Sequence, residues 1–175
     1  MRLFAAPTAL LLFALFTLCG ANHAPALPPV PSLIAPPTAP CSMQQLNQAY
    51  LRLVLAKRTE HTGHAQTVKF DAGLYDEATR HNVYLQRRDT LCHSHLRDAN
   101  ELVGALWDIE RYKGDPAQIA AHIFDNLNSS KAGHAEIQLD ERYPYLAISC
   151  TNQYYVVRSA AAPITEPLPL LTAQR

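Results

Sequence analysis

The sequence predicts an α+β domain: helical periodicities come first along the chain, two β-rich runs joined by a short polar turn close it, and strand and helix signals do not alternate as in a parallel α/β fold. Ser42-Met43-Gln44-Gln45 has the form of a capping box, and Leu46, Ala49, Leu53 and Val54 recur at helical spacing as far as Lys57. A polar stretch rich in His and Thr, residues 58–67, reads as a loop, and residues 68–70 as a short extended segment. Asp71 is suited to cap a second helix that starts about Ala72, carries Leu74, Ala78, His81 and Leu85 on its apolar side, and ends near Arg88. Over residues 91–114 the apolar set Leu102, Val103, Ala105, Leu106 and Ile109 fits a buried strand and a short helix equally well. Asp115-Pro116 then places a cap before a proline at the first helical position, and Ile119, Ile123 and Leu127 mark one face of a third helix ending around Ser129. Ser130 is suited to cap a further short helix carrying His134, Ile137 and Leu139. Residues 145–150 and 154–159 read as two strands with Thr151-Asn152-Gln153 as their turn.

Outside this region the chain reads differently. Arg2 is the sole charge ahead of an apolar run over residues 3–18, and the small residues Gly20 and Ala21 follow. That is the make-up of a cleavable secretory signal, residues 1–21. The run is short for a spanning helix and lacks a basic stop-transfer flank, so the expectation is a secreted, extracellular protein with no transmembrane anchor after cleavage. Residues 22–40 form a proline-rich spacer, since repeated prolines fix φ and remove backbone donors. The domain then covers residues 41–159, and residues 160–175, with Pro163, Pro167 and Pro169, form a tail. The 15 basic and 15 acidic side chains balance, with no Lys/Arg block, which argues against a nucleic-acid partner. With Cys19 in the signal, Cys41, Cys92 and Cys150 remain, and an oxidising compartment favours pairing two of the three. Asn128-Ser129-Ser130 is a glycosylation sequon, meaningful in a eukaryotic source.

Several short motifs in this order resemble the CAP superfamily, the secreted proteins related to cysteine-rich secretory proteins, antigen 5 and pathogenesis-related protein 1, also described as SCP domains. They are Leu46-Asn47, Val68-Lys69-Phe70-Asp71, Cys92-His93-Ser94-His95, Glu101-Leu102-Val103, Gly133-His134, Tyr145 to Cys150, and Tyr154-Tyr155-Val156-Val157. The resemblance implies a three-layer α-β-α sandwich with a cleft in which two histidines and acidic residues hold a divalent metal such as zinc. Carried over by motif, the ligands are His95, Glu101 and His134, with His93 competing with His95 for the first position. Where the family commonly has Trp and Glu on the helix before the second histidine, this chain has Phe124 and Asp125. The resemblance further implies a disulfide between Cys92 and Cys150, leaving Cys41 as a free thiol or an intermolecular link. The function it implies is a secreted binding or interaction protein for lipid or protein ligands; the alternative is a metal-dependent hydrolase in which the His/Glu/His set activates water.

The remaining candidates have plainer readings. His81, on the apolar side of the second helix, reads as a core histidine bonded to a backbone carbonyl, and His61 and His64 as members of a solvated loop. A Cys92 thiolate beside His93 would be a nucleophile with an adjacent base, but a disulfide accounts better for a cysteine in an exported chain. Tyr143, Tyr145, Tyr154 and Tyr155 read as strand aromatics. No Gly-rich phosphate loop, Gly-x-Ser-x-Gly elbow or His-Glu-x-x-His helix occurs in the chain.

Overall fold

In the computed structural model, residues 39–94 and 99–164 are described, within the unit spanning Pro36–Arg175. The signal, most of the spacer, the tail beyond Ile164 and His95 lie outside the described residues.

Ser42 caps helix α1 (Met43–Thr62) by accepting the Gln45 N–H, and Gly63, at φ 73°, ends it. The helix runs beyond Lys57 because Arg58, expected at the start of a polar loop, is fully buried. Its Nε donates to the Gln138 carbonyl and its Nη1 to the Tyr143 carbonyl, each at 3.0 Å. Strand β1 (Lys69–Phe70) follows, then helix α2 (Ala72–Arg88), whose Leu74 N–H donates to the Asp71 cap at 2.8 Å. The ambiguous stretch resolves into strand β2 (Asn100–Ala105) and a 3-10 turn at Ile109–Tyr112. Helix α3 (Pro116–Asn128) begins where its Asp115 cap and proline put it, with Asp115 Oδ1 accepting from Ala117 at 2.9 Å. Helix α4 (His134–Leu139) starts after Gly133, at φ 80°, and not at Ser130, whose Oγ instead accepts the Ala132 N–H in the preceding turn. Strands β3 (Tyr145–Cys150) and β4 (Tyr154–Ala160) complete the chain order. The Thr151 hydroxyl accepts the Tyr154 N–H at 3.1 Å and holds the turn between them.

The sheet order is β1-β3-β4-β2; β1 runs parallel to β3 and the other neighbours are antiparallel. The alternation of a pleated strand sorts its side chains into two cores. Leu146, Ile148 and Cys150 of β3, with Tyr155 and Val157 of β4, join Leu46, Tyr50 and Val54 of α1 and Ile119, Ile123 and Leu127 of α3. The opposite face carries α2: Val103, Tyr154 and Val156 pack with its Ala78 and Leu85, and Ala147 with its Leu74. Helices thus cover both faces of a mixed sheet, an α+β arrangement.

Because β1 pairs with β3 only at Tyr145 and Leu146, the edge of β3 beyond that point has no strand beside it. Asn47 takes the strand's place. Its Oδ1 accepts the Ile148 N–H at 2.9 Å and its Nδ2 donates to the Ile148 carbonyl at 2.8 Å, so one side chain completes both backbone bonds of a buried residue.

Candidate functional site

The most concentrated set of ionisable side chains among the described residues lies on the α2 face of the sheet, and its base is a charged residue inside an apolar strand. Arg158 of β4 is 1 % exposed and stands directly across the ladder from Glu101 of β2. Its Nη1 donates to Glu101 Oε2 at 3.0 Å and its Nη2 to Glu77 Oε2 of α2 at 2.8 Å. A buried guanidinium is tolerable only with such compensation, and a carboxylate on each side of its fork supplies it.

Glu101 makes a second set of contacts through Oε1. The Ser94 N–H donates to it at 2.6 Å, His93 Nδ1 lies 3.2 Å away and His81 Nε2 3.7 Å. Burial alone would raise the Glu101 carboxyl, but the Ser94 hydrogen bonds, His81 and Arg158 together hold it below its ordinary value. An ionised carboxylate accepts and cannot donate. The His93 Nδ1 contact therefore requires the proton on Nδ1, and in neutral His93 the lone pair is left on Nε2. His93 is the open member of the set, its side chain 58 % exposed against 6 % for Glu101.

His81 is settled by the same logic. Its Nε2 lies 2.8 Å from the Cys92 carbonyl, which can only accept, so Nε2 carries the proton and the residue is the carbonyl-bonded core histidine expected from its place on α2. The hydrogen bond also fixes the chain at Cys92, one residue before His93. His134 begins α4 and comes within electrostatic reach of His93: burial first, and His93 second, push its pKa down.

His95 lies outside the described residues. Glu101 meets His93, the residue that competed with His95 for the first position, and His134 is in electrostatic reach of His93 with no contact to Glu101 shown. Glu101, however, orients His93 and pairs with Arg158; it does not offer an open oxygen. Among the described residues no group of three or more His, Cys, Asp or Glu side chains is arranged to hold a metal ion. Asp125 is exposed on α3 and belongs elsewhere, in the electrostatic surroundings of His122 and Lys57.

The cysteines depart from the expected pairing. Cys41, Cys92 and Cys150 are all free thiols. Cys92 packs beside Ala78, Leu85 and Val103 on the α2 face, whereas Cys150 points into the core under α1 and α3. Cys92 and Cys150 thus pack with different clusters, and no bond joins them.

Arg158, Glu77 and Ser94 were not anticipated. Arg158 had a signal: a charge inside Tyr-Tyr-Val-Val-Arg-Ser, a run otherwise fit for burial, requires an acidic partner from another element. Which acid serves could not be read, because Glu77 and Glu101 meet Arg158 only through the sheet register and the docking of α2.

The linkage of Glu101 predicts acid sensitivity. Its folded pKa lies below the ordinary 4.5, so its contribution is fully present above that value and is lost as pH falls through the folded pKa. Relative to wild type, Glu101→Gln should be destabilised at neutral pH, and the gap should narrow as pH is lowered below about 4. Urea melts of the two proteins across pH 3–7 measure this; a gap independent of pH would show that the carboxylate charge is not what Arg158 requires.

Two grooves lie away from this cluster. One of about 450 Å³ is lined by Met43, Asn47, Leu51, Phe70 and Tyr75, and one of about 500 Å³ by His61, Glu136, Leu139 and Arg142.

No protein-family profile matches the chain, and no curated protein matches it in sequence. Solved structures do match in fold. An outer surface protein of Borrelia burgdorferi aligns at a TM-score of 0.50 and 11 % identity over 66 % of this chain and 91 % of its own. An extracellular protein containing an SCP domain from Bacillus anthracis aligns at 0.51 and 15 % identity over 69 % of this chain and 41 % of its own. The chain therefore spans less than half the length of the Bacillus protein. At these identities the likeness is one of fold, and the fold is similar to that of an SCP-domain structure.

Proposed function

We propose that this chain is an exported CAP-like interaction module, acting outside the cytoplasm on a protein or lipid partner, with the exposed His93 and the surface around it as its functional centre. The observation that carries the reading is the treatment of Glu101. It is neutralised from below by Arg158 and spent on orienting His93, which suits a presented binding group better than a water-activating metal centre. Leu91, half exposed two residues before His93, adds an apolar contact beside the polar one. The SCP-like fold and the secretory character of residues 1–21 support the same reading.

A specific observation favours a second reading in which this surface binds zinc. A histidine that donates one ring N–H to a carboxylate has the arrangement of an oriented metal ligand. His93 has it, His134 is within electrostatic reach of it, and His95 is a third imidazole in the sequence. Zinc would then be held by histidines, with Glu101 behind them, instead of by His95, Glu101 and His134. The described residues alone do not complete a zinc site, since structural and catalytic sites use three or four protein ligands.

The test uses the full chain expressed in a secreting host and recovered from the medium, where its N-terminus should follow Gly20 or Ala21. Zinc titration by calorimetry is then compared among wild type, His93→Ala, His95→Ala and His134→Ala. Stoichiometric zinc lost in the His93 and His134 variants establishes the second reading. Absence of stoichiometric zinc in wild type supports the metal-free module, and recovery of protein retaining residues 1–18 overturns export.

A further inference from the structure

Cys150 is buried and Cys41 half-buried, and both pack in the same core, under α1 and α3. Their positions follow from how α1 lies on β3. Near one end Asn47 is bonded to Ile148; near the other, Arg58 is bonded to the Tyr143 carbonyl. The helix from Asn47 to Arg58 covers about 16 Å at ~1.5 Å per residue, and the extended chain from Ile148 back to Tyr143 covers about 16 Å at ~3.3 Å per residue. Helix and strand therefore run antiparallel in matched register. Past the Asn47–Ile148 bond, α1 reaches back to its first residue, Met43, over about 6 Å, with Cys41 two residues further on outside the helix, and β3 runs on to Cys150 over about 7 Å. Cys150 therefore ends β3 by the start of α1, faces the helix in alternation with Ile148, and lies within electrostatic reach of Cys41.

Cys41 is also held in place. It precedes the Ser42 cap and packs in the same core as Leu46, four residues into the helix, the arrangement of a hydrophobic staple. Just before it, the Pro40 carbonyl lies so close to Gly114 that a Cβ there would sit 3.2 Å from it, which fixes the approach over the start of α3.

We infer that Cys41 and Cys150 are the pair joined by an intramolecular disulfide, tying the start of α1 to the end of β3, with Cys92 left as a thiol on the other face. The reaction needs an oxidant, and a low-molecular-weight disulfide serves. The half-exposed Cys41 thiolate attacks one sulfur of the oxidant, releasing one thiol and forming a mixed disulfide. The Cys150 thiolate displaces the second thiol, so two protein S–H groups lose two protons and two electrons and the oxidant gains both. The Cys150 thiol, which donates to the Thr151 carbonyl at 3.2 Å, gives up that contact on bonding. Burial first, and Asp115 second, raise the Cys41 thiol, and burial first, then Cys41 itself, raises Cys150, so exchange is slow at neutral pH and faster in mild alkali.

The experiment equilibrates the purified full chain with oxidised glutathione, alkylates remaining thiols and maps the peptides by mass spectrometry. A Cys41–Cys150 linked peptide with alkylated Cys92 is expected. A Cys92–Cys150 or Cys41–Cys92 peptide, or alkylation at all three positions, overturns the inference. Melting with and without dithiothreitol gives the second readout: reduction should lower the Tm by on the order of 10 °C in wild type and Cys92→Ser. Cys41→Ser should show no such shift, and a shift that persists in it also overturns the pairing. Because oxidation is performed in vitro, the outcome does not depend on where the protein resides.

Discussion

Arg158→Met is expected to destabilise the domain by about 3–5 kcal/mol, the largest loss foreseen for a single substitution outside the apolar core. The energy lies less in what Arg158 contributes than in what its removal exposes. Glu77 and Glu101 would remain as two carboxylates in a buried setting, each deprived of a charge-assisted hydrogen bond at 2.8 and 3.0 Å respectively. The cost should fall sharply in the triple variant Arg158→Met, Glu77→Gln, Glu101→Gln, because the uncompensated charges leave together. Equilibrium urea unfolding of wild type, single and triple variants checks this. A single variant within about 1 kcal/mol of wild type would show that the ion triad is solvated in the folded protein.

Asn47→Leu is expected to cost about 3–4 kcal/mol, although leucine suits both helix and core. The loss comes from the strand. With the amide gone, the N–H and carbonyl of Ile148 face α1 with no partner, and an unsatisfied buried backbone group costs about 1–3 kcal/mol. Asn47→Asp separates the two bonds: it keeps an acceptor for the Ile148 N–H but sets a carboxylate oxygen against the Ile148 carbonyl. Asp should therefore recover little of the loss. Full recovery with Asp would mean that only the N–H bond matters.

How legible these features were depended on whether their causes are local. The starts of α1, α2 and α3 followed from Ser42, Asp71 and Asp115, because capping is decided within one turn of chain. The closing hairpin followed from Thr151-Asn152-Gln153 between β-rich runs for the same reason. Arg58 was misread because a charged residue beside His and Thr looks solvated; it is buried by carbonyls of Gln138 and Tyr143, which no local pattern announces. Residues 91–114 gave no decision, since β2 is defined by pairing with β4. At the candidate site Glu101 was singled out through motif resemblance, yet its setting depends on Arg158, across the ladder. The cysteine pairing carried over from the resemblance could not be read locally for a related reason: motif order says which cysteines exist, while the pleat decides which face each one shares.

The bond between Asn47 and Ile148 also says when this chain can fold. It joins residues 101 positions apart, and the helix that contains Asn47 is made long before the strand it completes. While β3 and β4 are still being synthesised, α1 and α3 lack the central strands they cover and α2 lacks the strands it packs on. Contacts this distant in sequence make folding slow and leave apolar faces open until the last strand emerges. A chain built in this order completes its structure only after its β3–β4 hairpin has been made.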